Sequence, residues 1–147
     1  MTPSVDDVAE LEPFREGVFD LDPFGLRGVR CAVGHYTFPV RTFCGTCKSE
    51  LVEPVPLSGG GVLHTFTVVR QAPPGVSVPY LLGYVDLPEG CRLMARIEPR
   101  PGVEPAIGAP VDLVPAIFSD GGSSADRLGF AFAIRNEHPD PKERHDA

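Results

Sequence analysis

The sequence predicts a mainly β protein, in which a short helical N-terminal arm and a cysteine-containing module precede a five-stranded barrel. Three observations lead to this fold class. The 147 residues include 17 prolines and 16 glycines, which interrupt helices and favour turns. The C-terminal part alternates apolar and polar residues with the period of two that strands show. Three of the four cysteines lie between residues 31 and 47.

The N-terminal arm, residues 1–25, is acidic. Residues 1–24 hold seven acidic residues and one arginine, which fits either a solvated arm or a docking segment. The stretch AELEPFREGVFD, residues 8–19, predicts a short helix interrupted at Pro13. The apolar residues of the arm could cover this protein's own barrel or anchor a partner: Phe14, Val18, Phe19 and Phe24.

The cysteine module, residues 26–56, contains the stretch RCAVGHYTFPVRTFCGTC. Its second half is a Cys-x-x-Cys pair, Cys44 and Cys47, whereas its first half has Cys31 with Gly34 in the place of a partner cysteine. Aromatic and β-branched residues cluster in GHYTFPV between the two halves, which predicts a short hairpin arm there.

Two cysteine turns separated by a hairpin are the arrangement by which zinc ribbons hold a tetrahedral zinc ion. His35 is the nearby residue that can supply a fourth ligand, because imidazole reaches farther than a thiolate. The predicted zinc ligands are Cys31, His35, Cys44 and Cys47. Two alternatives stay open: a ribbon that folds without metal, and a redox dithiol. The second is disfavoured because CGTCKSELVEP lacks the helical period that follows a redox Cys-x-x-Cys.

The barrel is expected over residues 57–135, before a flexible tail at 136–147. After the turn SGGG, the five strand candidates are VLHTFTVVR, YLLGYVDL, CRLMARIEP, VDLVPAIF and LGFAFAIR. Five strands of this size with long connections fit a Greek-key barrel of the OB type. In the first strand, alternation predicts one face of Val62, His64, Phe66 and Val68 and another of Leu63, Thr65, Thr67 and Val69.

In the third barrel strand, the inward residues are predicted to be Cys91, Leu93, Ala95 and Ile97, and the outward ones Arg92, Met94 and Arg96. Cys91 is therefore interpreted as a small core residue. In the last strand, one face is predicted to hold Leu128, Phe130, Phe132 and Ile134, and the other Gly129, Ala131 and Ala133.

Composition argues against several classes of function. No apolar run approaches the roughly 20 residues of a membrane helix, and the acidic start has neither a basic leader nor an apolar segment. We therefore expect a cytoplasmic protein without a membrane partner. OB barrels can bind single-stranded nucleic acid through basic grooves with stacking aromatic residues. A chain with no tryptophan, an isoelectric point near 5.0 and no basic cluster on a strand does not match that pattern.

No catalytic residue is predicted from the sequence. His35 belongs to the cysteine module, His64 lies on a strand, and His138 and His145 lie in the expected tail. No serine or cysteine has a general base nearby in the sequence. The acidic residues of VDLPEG, Asp86 and Glu89, are interpreted as turn residues.

The order of several motifs resembles one known family. FREGVF, RC...G..TFPVRTFCGTC, SGGGVLHTFTVVR, PYLLGYVDLPEGCRLMARI and IGAPVDL are similar to proteins that join a rubredoxin-like zinc ribbon to an OB-fold. The resemblance covers about residues 12–134. Members of this family work beside thiolase-like enzymes that act on acyl-CoA thioesters. Gly34 departs from the family's usual cysteine, so the resemblance makes metal binding depend on His35.

The resemblance implies an accessory subunit in a hetero-oligomer whose catalytic residues belong to the thiolase-like chain. The ribbon and barrel would stabilise that partner and could shape the path of the CoA thioester, which is the substrate of the complex. Thiolysis, condensation and retro-aldol cleavage all remain open. Two alternatives from other classes are a single-stranded nucleic-acid-binding module and a stand-alone acyl-CoA-binding protein or hydrolase.

Overall fold

The computed structural model describes residues 5, 11–21, 23–118 and 126–135. These residues form a four-stranded sheet and a closed five-stranded barrel, which confirms the mainly β fold class. The strands are β1 (Phe19–Leu21), β2 (Phe24–Cys31), β3 (Tyr36–Thr37), β4 (Val52–Pro56), β5 (Gly60–Val69), β6 (Tyr80–Asp86), β7 (Arg92–Glu98), β8 (Pro110–Phe118) and β9 (Arg127–Ile134). Across the described ranges, no helix has the length and apolarity needed to cross a membrane.

The barrel closes in the order β5-β6-β7-β9-β8. Strands β7 and β9 run parallel, and every other neighbouring pair in the barrel is antiparallel. This order, with the third and fifth strands side by side, is that of a five-stranded Greek-key barrel of the OB type. All five strand candidates of the C-terminal part are confirmed as barrel strands.

The barrel core is built from alternating inward residues. On β7 the inward residues Leu93, Ala95 and Ile97 are buried, as the alternation predicts. Cys91, just before this strand, is also buried, which confirms its interpretation as a small core residue. These side chains pack with the inward residues of the other barrel strands, including Leu63, Val85, Val111, Phe132 and Ile134.

A β-bulge in β5 contradicts the predicted faces of this strand. Pairing with β6 passes from Leu63 opposite Val85 to Thr65 opposite Tyr84, so His64 is the extra residue. An extra residue reverses the alternation of side chains beyond it. Leu63 is completely buried, and Phe66 on the far side of the bulge also packs against the core. The two residues therefore share the inner side although the sequence alternation placed them on opposite faces.

The four-stranded sheet is centred on β2, which pairs with β1, β3 and β4, all antiparallel. Its pairing with β4 runs from Arg27 opposite Pro56 to Cys31 opposite Val52. The short strand β3 crosses Gly28 so closely that a Cβ atom there would lie 2.5 Å from the Thr37 carbonyl oxygen. Strand β2 ends at Cys31, next to the stretch GHYTFPV for which a hairpin arm is predicted.

The helix predicted in the N-terminal arm is not found within residues 11–21, and its first residues, 8–10, lie outside the described residues. The segment instead follows β9, because Phe14 N–H donates to the Leu128 carbonyl oxygen (2.7 Å) and Leu128 N–H donates to that of Glu12 (2.8 Å). Gly17 has a φ of +79°, which interrupts any helix, and the following β1 pairs with β2. The segment therefore pairs with β9 and β2 and does not form the predicted helix.

The apolar residues of the arm cover the protein's own barrel. The Phe14 ring lies 5.5 Å from that of Phe118 and 6.2 Å from that of Phe130, centroid to centroid. Val18 is buried in the core, and Phe19 and Phe24 pack against it. The predicted tail, residues 136–147 with His138 and His145, lies outside the described residues.

Candidate metal centre

Two tight turns bring the four predicted ligand residues together. The first turn joins β2 to β3: Cys31 N–H donates to the His35 carbonyl oxygen (2.9 Å), and Gly34 N–H donates to that of Cys31 (3.0 Å). Gly34 has a φ of +102°, a backbone conformation that favours glycine. A cysteine at this position would be strained, and the turn instead presents His35, one residue later.

The second turn spans Cys44 to Ser49. Lys48 N–H donates to the Cys44 carbonyl oxygen (3.0 Å), and Cys44 N–H donates to that of Ser49 (2.8 Å). Lys48 adopts a φ of +64°, the left-handed conformation that closes such a turn. Gly45 N–H donates to the Thr37 hydroxyl oxygen (3.0 Å), which fixes this turn to β3 and so to the first turn.

The potential ligand atoms of Cys31, His35, Cys44 and Cys47 all lie within 4.8 Å of one another. The Cys31 Sγ–Cys47 Sγ distance is 3.9 Å, and the Cys31 Sγ–His35 Nδ1 distance is 3.6 Å. Around a tetrahedral zinc ion, standard bond lengths place two sulfurs about 3.8 Å apart and a sulfur and a nitrogen about 3.6 Å apart. The cluster therefore matches the donor types and spacing of a tetrahedral site and could hold a metal ion.

Backbone N–H groups stabilise the thiolate form of Cys44. Cys47 N–H and Thr46 N–H donate to Cys44 Sγ at 3.4 and 3.3 Å. Led by the Cys47 bond, these donors lower the pKa of Cys44 from 9.0 to about 6. A hydrogen bond from the Ser49 backbone favours the Cys47 thiolate, but the neighbouring sulfurs and desolvation outweigh it, so the pKa of Cys47 is raised. The surroundings of the two sulfurs therefore favour a thiolate at Cys44 and disfavour one at Cys47.

The cluster lies at the edge of the protein rather than in its interior. Cys31 and Cys44 are buried, His35 is half-buried and Cys47 is exposed. His35 N–H also donates to Cys31 Sγ (3.3 Å), so the first turn carries the same kind of N–H···S bond as the second. A metal ion held by these four residues would therefore have one accessible side.

The other polar residues considered in the sequence, Asp86, His64 and Glu89, make polar contacts on the barrel. Asp86, at the end of β6, accepts hydrogen bonds from Arg92 (2.6 and 3.2 Å), and this guanidinium lowers the pKa of the carboxyl group. His64 Nδ1 lies 3.5 Å from the same carboxylate. Glu89 accepts hydrogen bonds from the Ser58 backbone N–H and hydroxyl, and so fastens the turn before β5. Sequence reasoning found the turn positions but missed these partners.

Sequence reasoning also missed the surroundings of Arg96. The guanidinium carbon lies 4.3 Å from the Tyr80 ring centroid and 5.5 Å from that of Phe118. Alternation correctly turned Arg96 outward on β7, but Phe118 lies 22 positions later in the chain on β8. No short-range signal in the sequence could have paired them.

Comparison with known proteins supports the OB-fold interpretation of the barrel. The family model described as "ChsH2, C-terminal OB-fold domain" matches residues 54–115. A DUF35 domain-containing scaffold protein of Pyrococcus furiosus is 35% identical over 63% of this chain and 70% of its own length. Its counterpart in Methanocaldococcus jannaschii is 33% identical over 73% of this chain and 79% of its own length.

Two further comparisons concern enzyme subunits. The benzoylsuccinyl-CoA thiolase subunit BbsA of Thauera aromatica is 41% identical over 52% of this chain and 54% of its own length, so the match spans about half of that relative. Among solved structures, a chain of the Ltp2-ChsH2(DUF35) aldolase superposes with a TM-score of 0.57 and 25% identity. That superposition covers 75% of this chain and 84% of the other.

Proposed function

This chain belongs to the family of DUF35 domain-containing scaffold proteins, as its motifs indicated, and we propose that it is an accessory subunit of a thiolase-like enzyme complex acting on acyl-CoA thioesters. One observation carries the proposal. Its fold is similar to that of a chain in an aldolase assembly, over three quarters of the chain. The similarity to a benzoylsuccinyl-CoA thiolase subunit points to the same class of complex.

In this proposal the catalytic residues belong to the thiolase-like partner. The contacts of this chain's own reactive groups support that division. His64 lies beside the Asp86–Arg92 ion pair on the surface of the barrel. Cys91 is buried in the barrel core, and burial raises the pKa of its thiol, which opposes a role as a nucleophile. The remaining cysteines lie together in the candidate metal centre.

We also propose that the metal of this centre is zinc with a structural role. A set of three thiols and one imidazole suits zinc, and four protein ligands leave no open position for substrate. Zinc would fasten the turn after β2 to the turn at Cys44. The barrel and the ribbon would then present one rigid surface to the partner, and the CoA thioester would lie at or near that interface.

The proposal is tested by purifying the tagged chain from the organism that encodes it, followed by mass spectrometry and size-exclusion chromatography. We expect a thiolase-fold subunit in the same peak. The purified complex, the partner alone and this chain alone are then assayed for thiolysis, condensation and retro-aldol cleavage of acyl-CoA thioesters. A monomer without a thiolase-fold partner, or full turnover by this chain alone, would overturn the proposal.

A further inference from the structure

The outer face of the β6–β7 hairpin is apolar where a solvated sheet is normally polar. Cross-strand neighbours on this face are Leu82 with Arg96 and Tyr84 with Met94. Met94 is 55% exposed and Tyr84 is 43% exposed. Tyrosine, methionine and arginine are among the residues enriched in protein interfaces, and tyrosine and arginine are among those that usually contribute most to binding.

Three depressions form one continuous groove along this face. A depression of about 470 Å³ shares Tyr80 and Arg96 with a second of about 520 Å³. It shares Leu82 and Met94 with a third of about 150 Å³. The three depressions are open to solvent along the strands rather than enclosed. A groove of this form suits an elongated protein surface better than a small ligand, which is normally buried over about 70–90% of its area.

The charged groups that line this face differ in their ion pairing, and besides the two arginines they include Glu98 in the second depression. Arg92 at one end is neutralised by Asp86, with an Nε–Oδ1 distance of 2.6 Å. Arg96, in the middle of the groove, lies between the rings of Tyr80 and Phe118. Among the described residues it has no carboxylate within ion-pair distance and no hydrogen bond. A guanidinium that contacts aromatic rings and makes no hydrogen bond keeps its N–H donors available for a carboxylate.

We propose that this β6–β7 groove is the docking surface for the thiolase-like subunit, and that the partner inserts an aspartate or glutamate flanked by apolar side chains beside Arg96. Charge complementarity selects the occupant: the first depression has an apolar lining with Arg96 as its one charged residue, whereas the carboxylate of Glu98 lines the second depression only. A carboxylate there would form a desolvated, charge-assisted pair, and the apolar flanks would cover Tyr84 and Met94. This inference rests on the proposed function, because it requires a protein partner.

The test measures the affinity between this chain and the thiolase-like subunit recovered with the wild type, by biolayer interferometry. The variants are Arg96→Glu and Met94→Asp, and the matched control is Arg41→Glu, an exposed arginine outside the groove. We expect both groove variants to raise Kd by about tenfold or more, as for central interface residues. The control should stay within about twofold. Thermal melts establish that each variant is folded, and the exposed Met94 site serves if Arg96→Glu melts early.

The outcomes separate the two proposals. If the wild type binds and both groove variants bind equally well, the docking surface is wrong while the accessory function stands. If the wild type does not bind any thiolase-like subunit, the proposed function fails and the docking surface fails with it. Light scattering and calorimetry of the chain alone test other occupants. A dimer broken by Arg96→Glu, or CoA binding lost in that variant, would assign the groove to a second copy or to a small ligand and overturn the inference.

Discussion

The barrel and the tip of the cysteine module hold their shapes by different means. The barrel buries aliphatic and aromatic side chains from all five strands around Leu63, Val85 and Phe132. At the tip of the module, the buried side chains are the thiols of Cys31 and Cys44, and strand β3 is only two residues long. Apolar burial can sustain the first region alone, whereas the second has little of it, and in our proposal a bound metal ion would cross-link its two turns. Substitutions in the metal centre and in the barrel should therefore affect different quantities, namely zinc content and the stability of the barrel.

The largest expected effect comes from Cys44→Ser. Cys44 is the most deeply buried thiol of the cluster, and its replacement removes one of four ligands, so bound zinc should fall from about one per chain to near zero. The module would then lose the folding free energy that a structural zinc ion contributes, which is on the order of 10 kcal/mol. Plasma mass spectrometry measures the metal, and hydrogen exchange should show rapid exchange at Cys44–Ser49 with the barrel still protected. The matched control is Cys91→Ala, which removes a thiol outside the cluster. Zinc retained by Cys44→Ser would contradict the assignment.

The next largest effect is expected in the barrel. Leu63→Ala should lower the free energy of unfolding by about 2–5 kcal/mol, because Leu63 is fully buried and the surrounding side chains cannot move far enough to fill the cavity. Urea unfolding measures this loss against Val62→Ala, whose side chain is 46% exposed and whose loss should stay below about 1 kcal/mol. Zinc content should be unchanged in both. A fall in zinc in Leu63→Ala would show that the two regions are not independent.

A smaller effect is expected at His35. Replacing it with alanine leaves three thiols, so zinc affinity should fall by about tenfold or more, which corresponds to about 1.4 kcal/mol. His35→Cys should retain the ion, since it restores a fourth ligand, and Val33→Ala in the same turn is the control. Competition with a chromophoric chelator measures the affinities. Near-zero zinc in the wild type and all variants would identify a ribbon that folds without metal.

The smallest effect is expected at the Asp112–Arg135 ion pair on the barrel. The Arg135 guanidinium lowers the pKa of Asp112, so the pair stabilises the fold above the unfolded-state pKa, and this stability is lost as the pH falls through the folded-state pKa. Both side chains are 44% exposed, so solvent screening limits the gain to about 0.5 kcal/mol. Asp112→Asn should lower the urea midpoint slightly at pH 7 and by less at pH 3. An equal change at both pH values would contradict this account.

The barrel was the more predictable of the two regions. Its strands follow period-two alternation, which correctly placed Leu93, Ala95 and Ile97 inside. The bulge at His64 was missed because one extra residue leaves the composition of a strand unchanged and alters only its pairing. The docking of Phe14 on the barrel was one of two alternatives from the sequence, which could not identify its hydrogen-bonding partner because Leu128 lies far away in the chain.

In the candidate metal centre, the residues could be predicted but their geometry could not. Cysteine spacing identified Cys31, Cys44 and Cys47, and proximity to Gly34 identified His35. Whether four such residues meet depends on the turn conformations, namely the positive φ values of Gly34 and Lys48. The contact of Arg96 with Phe118 depends on β7 and β8, which lie on either side of β9 in the barrel. Contacts between distant parts of the chain therefore account for most of what the sequence did not reveal.

The pairing of residues 12–14 with Leu128 has a consequence for biosynthesis. The ribosome makes the arm before β9, so more than a hundred residues must be added after Phe14 before its hydrogen-bonding partner exists. During that interval Phe14 has neither Leu128 to pair with nor a closed barrel to cover. The docking of the arm therefore marks the completion of the barrel.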